Sequence, residues 1–280
     1  DMKSGLVCAL AAFKALIEAK ELHGELGRVG FAATVDEEAL GLGAKALLET
    51  EYSKSDALIL GEPFCGDEAL PVPYGITGKV LYKLTLIGKM AHGFNPERGI
   101  NAVEDAGKIL AALDQLKIGH HPKFGSGNYS TLKIDGGYKE YAIVVPERCE
   151  VIITRLTVPG ENRDSAVNDM RQLVDSLNLE SEVIIETPAP FYEPYALEED
   201  HPLLKNFLEA HQKVKGEAPA FGYGRGITDA NIYVAEGNIP TITFGPRGHG
   251  FHECNEHVEI DSLAPVAQIF AETVAAFFRD

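Results

Sequence analysis

Two proline-containing breaks, Pro71–Gly78 and Pro188–Pro194, separate stretches of different hydrophobic periodicity, and this division constrains the fold most. Before the first break, Leu6, Ala9, Leu10, Phe13, Leu16 and Ile17 recur at helical spacing over 3–23, ending near Gly24. Val29–Thr34 reads as a small apolar strand, Ala39–Leu48 as a helix and Ala57–Leu60 as a short buried strand. Strand, helix and strand in that order call for a parallel sheet covered by helices. Between the breaks the style changes. Lys79–Ile87 alternates polar and apolar residues, a helix is predicted over 99–116, and strands are predicted near Ser130–Ile134 and Cys149–Val158. A helix over Asn162–Leu177 and a strand over Ser181–Glu186 complete a strand–helix–strand–strand–helix–strand series, the ferredoxin-like pattern. After the second break, helices at Pro202–Val214, Asp229–Glu236 and Asp261–Phe278 and a buried strand at Thr241–Phe244 restore the α/β style. The expected organisation is a discontinuous α/β domain, 1–76 with 187–280, interrupted by an α+β domain over 77–186.

Composition limits the partners. The 280 residues carry 42 Asp and Glu against 25 Lys and Arg, a net charge of −17, with no compensating basic cluster. Such a surface repels a nucleic-acid backbone, so no nucleic-acid partner is expected. No apolar run reaches the ~20 residues that span a bilayer, so no membrane association is expected either. Cys8, Cys65, Cys149 and Cys254 are scattered without a C-x-x-C pair, which fits a reducing cytoplasm and argues against a disulfide framework.

Chemistry is concentrated at predicted strand ends and helix starts, where α/β folds place their sites. Asp1-Met2-Lys3-Ser4-Gly5 puts an acid at a helix entrance. Thr34-Val35-Asp36-Glu37-Glu38 places three adjacent carboxylates after an apolar stretch, where they repel one another unless a cation is present. Gly61-Glu62-Pro63 adds an acid at another strand end. The segment from Gly245 to Glu256 is a glycine-rich loop containing His249 and His252. Asp1, Glu38, Glu62 and His252 together form a carboxylate-rich set with one imidazole, suited to a zinc-type divalent ion or a pair of them. Glu37, beside a ligand but pointing elsewhere, is then free to act as general base. A bare acidic cleft for Ca²⁺ is a poorer reading, because His252 and the glycine-rich loop suit zinc.

These segments resemble the zinc exopeptidases and deacylases grouped with aminoacylase, glutamate carboxypeptidase, acetylornithine deacetylase and succinyl-diaminopimelate desuccinylase. Asp1–Gly5 is similar to the end of that family's G-x-G-x-x-D-M-K-G motif, Thr34–Glu38 to its T-x-D-E-E element and His252 to Glu256 to its closing H-x-x-N-E. The resemblance implies a zinc-exopeptidase-like catalytic domain with an inserted ferredoxin-like lid and dimerisation domain. It implies two Zn²⁺ per subunit, with Co²⁺ or Mn²⁺ also fitting. Asp1 would bridge the metals, Glu38, Glu62 and His252 would be ligands, and Glu37 the general base. Ala91-His92 with Pro96, Gly99 and Asn101 resembles the lid motif whose His reaches a partner subunit's active site to steady an oxyanion, which implies a homodimer. Arg155 occupies the place of a substrate-carboxylate Arg, with packing on the lid sheet as the alternative, and Gly226-Ile227-Thr228-Asp229-Ala230-Asn231 resembles the G-x-T-D-A-x substrate loop, implying substrate contacts from Gly226, Asp229 and Asn231, with Asp229 as a plain N-cap the alternative there. Arg225 and His249 are further substrate-side candidates.

Two departures accompany the resemblance. The family's upstream H-x-D ligand has no counterpart ahead of Asp1, and Ala142-Ile143-Val144-Val145-Pro146 lacks the Asn common before the lid's V-x-P element. The expected activity is metal-dependent hydrolysis of an amide bond in an N-acyl amino acid or small peptide. The alternative is a non-catalytic fragment that keeps the dimerising lid and an incomplete metal site.

Overall fold

The computed structural model describes residues 2–23, 27–140 and 143–279, with the backbone alone for 21–23. The first segment contains α1 (Lys3–His23), α2 (Leu42–Leu48), β1 (Leu58–Gly61) and β2 (Val72–Ile76). The middle segment contains β3 (Gly78–Ile87), α3 (Ala102–Ala111), β4 (Asn128–Gly136), β5 (Arg148–Thr157), α4 (Arg163–Ser176) and β6 (Glu182–Glu186). The last contains β7 (Tyr195–Ala196), α5 (Pro202–Lys215), β8 (Phe221–Gly224), β9 (Thr241–Phe244), β10 (Gly248–His249), β11 (His257–Val258) and α6 (Ile260–Phe277). Contacts divide the chain into two compact units, 1–76 with 195–280 and 77–194.

In the first unit, β1 and β9 pair in parallel from Leu58↔Thr241 to Gly61↔Phe244, while β2 pairs in parallel with β8 and antiparallel with β7. The four residues of β9 are all buried, consistent with the run of apolar and threonine side chains that sequence reading assigned to a core strand. Cys8 and Ala12 of α1, Phe207 and Ala210 of α5, and Val266, Ile269 and Phe270 of α6 close over Ile242 and Phe244. Each fully buried large apolar side chain of this kind contributes about 1.5–3 kcal/mol. By length and composition alone the 18-residue α6 passes for a membrane-spanning helix, a test that a buried core helix passes equally. Its apolarity is partly spent on this core.

Glycine decides how α1 meets the sheet. A Cβ on Gly5 would lie 2.5 Å from the Gly61 carbonyl oxygen, and one on Gly61 would lie 2.8 Å from the Gly5 carbonyl carbon. The helix start and the strand end therefore touch backbone to backbone, a crossing that only two glycines permit. Glu62 follows directly.

Three sequence expectations shift here. Residues 27–36 form no strand: Phe31 stacks on Phe13 at 5.8 Å between ring centroids, and among the described residues no neighbouring strand pairs with this stretch. A strand needs a ladder partner, which apolar composition alone cannot supply. The helix expected over 99–116 starts at Ala102, because the Asn101 side chain accepts from the Val103 and Glu104 amides and stops further winding upstream. The helix expected from Asp229 becomes a wide π-type turn over Ile232–Glu236, with Thr228 and Asn231 folding its entrance.

In the second unit, β4, β5, β3 and β6 lie side by side in that order, every neighbour antiparallel. Alternate residues of β3 (Val80, Tyr82, Leu84, Leu86) and of β5 (Cys149, Val151, Ile153) are fully buried against Ala102, Ala106 and Ile109 of α3 and Ala166 and Met170 of α4. This is the period-2 pattern read from the sequence, with both helices in one core. A capping box between Asn162 and Ser165 starts α4.

Candidate active site

The carboxylates that sequence reading singled out in the first unit stand within electrostatic reach of one another. Glu62, 5% exposed, follows β1, and its amide donates to the Phe244 carbonyl at the end of β9. Glu37 and Glu38 leave a tight turn in which Asp36 holds φ at +74° while its carboxylate accepts from the Leu40 and Leu42 amides at 3.3 and 3.2 Å. A non-glycine residue in the left-handed region is uncommon and concentrates at functional sites. His252, at the tip of the loop between β10 and β11, also has positive φ, +61°, and its Nε2 lies 3.1 Å from Glu38 Oε2. Asp229, 1% exposed, enters from the turn before Ile232.

The electrostatics are those of an uncompensated acid cluster. Burial first, then repulsion from Asp229 and Glu38, raises the Glu37 carboxyl to about 7, with His252 opposing. Burial, then Glu37, Asp229 and Glu38, raises Glu62 to about 8. Burial and Asp36 raise Asp229 to about 6 against the pull of Lys45. Among the described residues, Glu62 Oε1 and both Asp229 carboxylate oxygens are buried with no hydrogen-bond partner. Orphaned buried acceptors are costly, and a cation is the partner that would satisfy several at once. The donor set of carboxylates with one imidazole has the chemistry of a zinc site. Among the described residues the side chains do not close into a group of three around one point, so the fit rests on donor type and unmet charge. In the same unit, a cavity of about 290 Å³ opens among Ser4, Pro63, Pro246, Phe251 and His257, with none of the clustered acids in its lining.

The remaining candidates fall as follows. Asp1 lies outside the described residues. Asn231 is buried and its Oδ1 accepts the Thr228 amide at 3.1 Å, while Gly226 is exposed and a Cβ there would meet nothing within 4 Å. Asp229, expected at the substrate, joins the acid cluster. His249 Nε2 pairs with Glu259 at 2.8 Å. His92 belongs to the second unit, where its Nδ1 accepts the Phe94 amide at 3.2 Å.

For Arg155 the structure supports the packing alternative and corrects the substrate role. Instead of presenting its guanidinium to a substrate, it is fully buried inside the second unit, donating to Tyr82 Oη at 3.1 Å, to Asp169 Oδ2 at 3.0 Å and to Glu161. Its neighbours consume the charge that a substrate carboxylate would need. Sequence reading also passed over the role of Asp36, whose carboxylate holds the turn that carries Glu37 and Glu38. The adjacent acids masked its capping role.

Known proteins match the chain along nearly its whole length. The family model described as peptidase family M20/M25/M40 matches residues 1–276. The chain belongs to this family. Among its relatives, the N-formyl-4-amino-5-aminomethyl-2-methylpyrimidine deformylase of Bacillus subtilis is 26% identical, over 99% of this chain and 70% of its own length. The succinyl-diaminopimelate desuccinylase of Helicobacter hepaticus is 24% identical over 100% of this chain and 71% of its own. The solved YXEP protein of Bacillus subtilis, described as a dinuclear metal binding peptidase of the M20 family, shares the fold with a TM-score of 0.68 at 17% identity, covering 95% of this chain and 69% of that one. This M20 chain thus matches hydrolases along nearly its whole length.

Proposed function

We propose that this M20 chain hydrolyses the amide bond of an N-acyl amino acid or small peptide at the carboxylate–imidazole cluster of its first unit. The observation that carries the reading is the trio of buried oxygens without a hydrogen-bond partner among the described residues, Glu62 Oε1 and the two of Asp229, amid acids that repel one another. Glu38, Glu62 and His252, with Asp1, would hold two Zn²⁺, and Co²⁺ or Mn²⁺ suits the same donors. A divalent ion there supplies a Lewis acid that polarises the scissile carbonyl and acidifies water.

The chain's own groups do the rest. Glu37 takes the attacking water's proton and returns it to the leaving amine. Asp229, Asn231 and Gly226 shape the substrate side. The second unit, its strands ordered β4-β5-β3-β6 with two helices in one core, serves as the ferredoxin-like lid, and the chain works as a homodimer in which His92 of the partner subunit steadies the oxyanion. All four cysteines are free, which supports a cytoplasmic setting.

Relatives that remove formyl and succinyl groups make small N-acyl compounds the first substrates to try. Incubated with Zn²⁺, the chain is expected to release free amine from at least one member of a panel of N-formyl, N-acetyl and N-succinyl amino acids and dipeptides, and a chelator is expected to abolish the release. Turnover that survives the chelator, or none across the panel with zinc bound, would overturn the reading.

A further inference from the structure

The loop that carries His252 and the loop that follows Glu62 are fastened together by an arginine outside the acid cluster. The two loops leave adjacent strands side by side. The Gly245 amide donates to the Phe64 carbonyl at 3.2 Å, and a Cβ on Gly245 would lie 2.1 Å from the Glu62 carbonyl oxygen. Two residues on, the Arg247 guanidinium pairs with Asp67 through Nη1, and its Nε lies 3.6 Å from Glu259 Oε2. Asp67 is already set for this contact. Its Oδ1 accepts the Ala69 and Leu70 amides at 2.9 and 2.7 Å, leaving Oδ2 for Arg247 and for the Cys65 thiol at 3.2 Å. Burial opposes the Asp67 charge, but the Leu70 amide, the Cys65 thiol and Arg247 outweigh it and hold the carboxyl below its ordinary value.

At its other end the arginine grips the foot of the His252 loop. The Arg247 amide donates to Ser262 Oγ at 3.1 Å, the Glu259 amide donates to the Arg247 carbonyl at 2.9 Å, and Glu259 Oε1 takes His249 Nε2 at 2.8 Å. The short β10–β11 pair, Gly248↔Val258 and His249↔His257, closes the loop just beyond. We propose that Arg247 is a positioning residue for the hydrolytic site. By bridging Asp67 to Glu259 it fixes the separation between the loop after Glu62 and the loop that bears His252. A planar fork can address two carboxylates on different loops, whereas an ammonium offers one point charge. Because Arg247 is 40% exposed, the pair adds little to global stability, and its effect is local.

The positioning role rests on the hydrolase reading for its purpose, and one experiment separates the two. Hydrogen exchange of the metal-free full chain is compared for wild type, Arg247→Met, Arg247→Lys and Asp67→Asn, with Zn²⁺ titrated into each. In Arg247→Met, amides of 245–259 and 63–70 are expected to exchange at least about 10-fold faster, with β1, α5 and the second unit unchanged, and zinc affinity is expected to fall roughly 10–100-fold, as when outer supports of a metal site are lost. Arg247→Lys should lie between, and combining Arg247→Met with Asp67→Asn should be no worse than the more severe single change. Unchanged exchange over 245–259, or exchange accelerated evenly through the whole unit, overturns the positioning role. Faster loop exchange in Arg247→Met, when the wild-type chain takes up no zinc, supports the clamp and overturns the hydrolase reading instead.

Discussion

Glu37→Gln is expected to lower turnover by roughly 10²–10⁴ while leaving metal uptake within about twofold of wild type. The amide keeps the size and hydrogen-bonding reach of the carboxyl but cannot take a proton from water. Glu37 is half-buried between Glu38, which pairs with His252, and Asp229, and its own carboxyl is raised to about 7 by burial and by those acids. The separation of the two readouts matters, because a mutant that lost zinc would report on ligation. Steady-state turnover with metal content measured on the same sample checks the assignment. A Glu37→Gln chain with unimpaired turnover would remove Glu37 from the mechanism.

The largest expected effect on stability lies in the second unit. Arg155→Met is expected to cost about 3–5 kcal/mol, because it strands the buried Asp169 carboxylate and the largely covered Glu161 carboxylate. Asp169 and Glu161 face the guanidinium, Glu161 also accepts the Gly119 amide at 3.0 Å and the Val158 amide at 2.9 Å, and Tyr82 Oη passes a hydrogen bond on to the Ala166 carbonyl at 2.9 Å. One arginine thereby ties β3, β5, the start of α4 and the segment before residue 120. Urea unfolding monitored by hydrogen exchange within 77–194 measures the loss. Replacing the whole cluster, with Asp169→Leu and Glu161→Gln added, should recover part of it by removing the stranded charges. A cost under about 1 kcal/mol for Arg155→Met alone would show that the carboxylates find other partners.

Arg155 also marks where sequence reading stops. An arginine on a strand followed by Pro159-Gly160-Glu161 looks the same whether it meets a substrate or a buried glutamate six residues away. Only the packing of α4, which brings Asp169 in, decides. Elements whose cause is local were legible. Thr241–Phe244 coincides with its predicted span, and α5 and α6 begin within a residue of theirs, since apolar runs and Pro202 act over a few positions. Residues 29–34 were misread because strand formation depends on a neighbour. In the site, strand-end acids and a glycine-rich histidine loop pointed to Glu37, Glu38, Glu62 and His252. The place of Asp229 among the acids and the Arg247–Asp67 bridge depend on residues far apart in the chain, and no local pattern announces them.

That these acids await a divalent cation is most directly tested by the unfolding midpoint in urea between pH 5 and 8, with and without Zn²⁺. Without metal, Glu37, Glu62 and Asp229 have folded-state values of about 7, 8 and 6, above their ordinary 4.5, 4.5 and 3.8. Across this range the folded chain holds protons that the unfolded chain has released, so stability must fall as pH rises. The midpoint is expected to decline from pH 5 to 8 in the metal-free chain and to rise on adding Zn²⁺ by an amount largest at pH 8; in Glu62→Gln the decline is expected to be shallower, with Glu37 and Asp229 still contributing, and the Zn²⁺ response to be largely lost. A midpoint that stays level with pH and does not respond to Zn²⁺ would contradict the presence of a cation site among these acids.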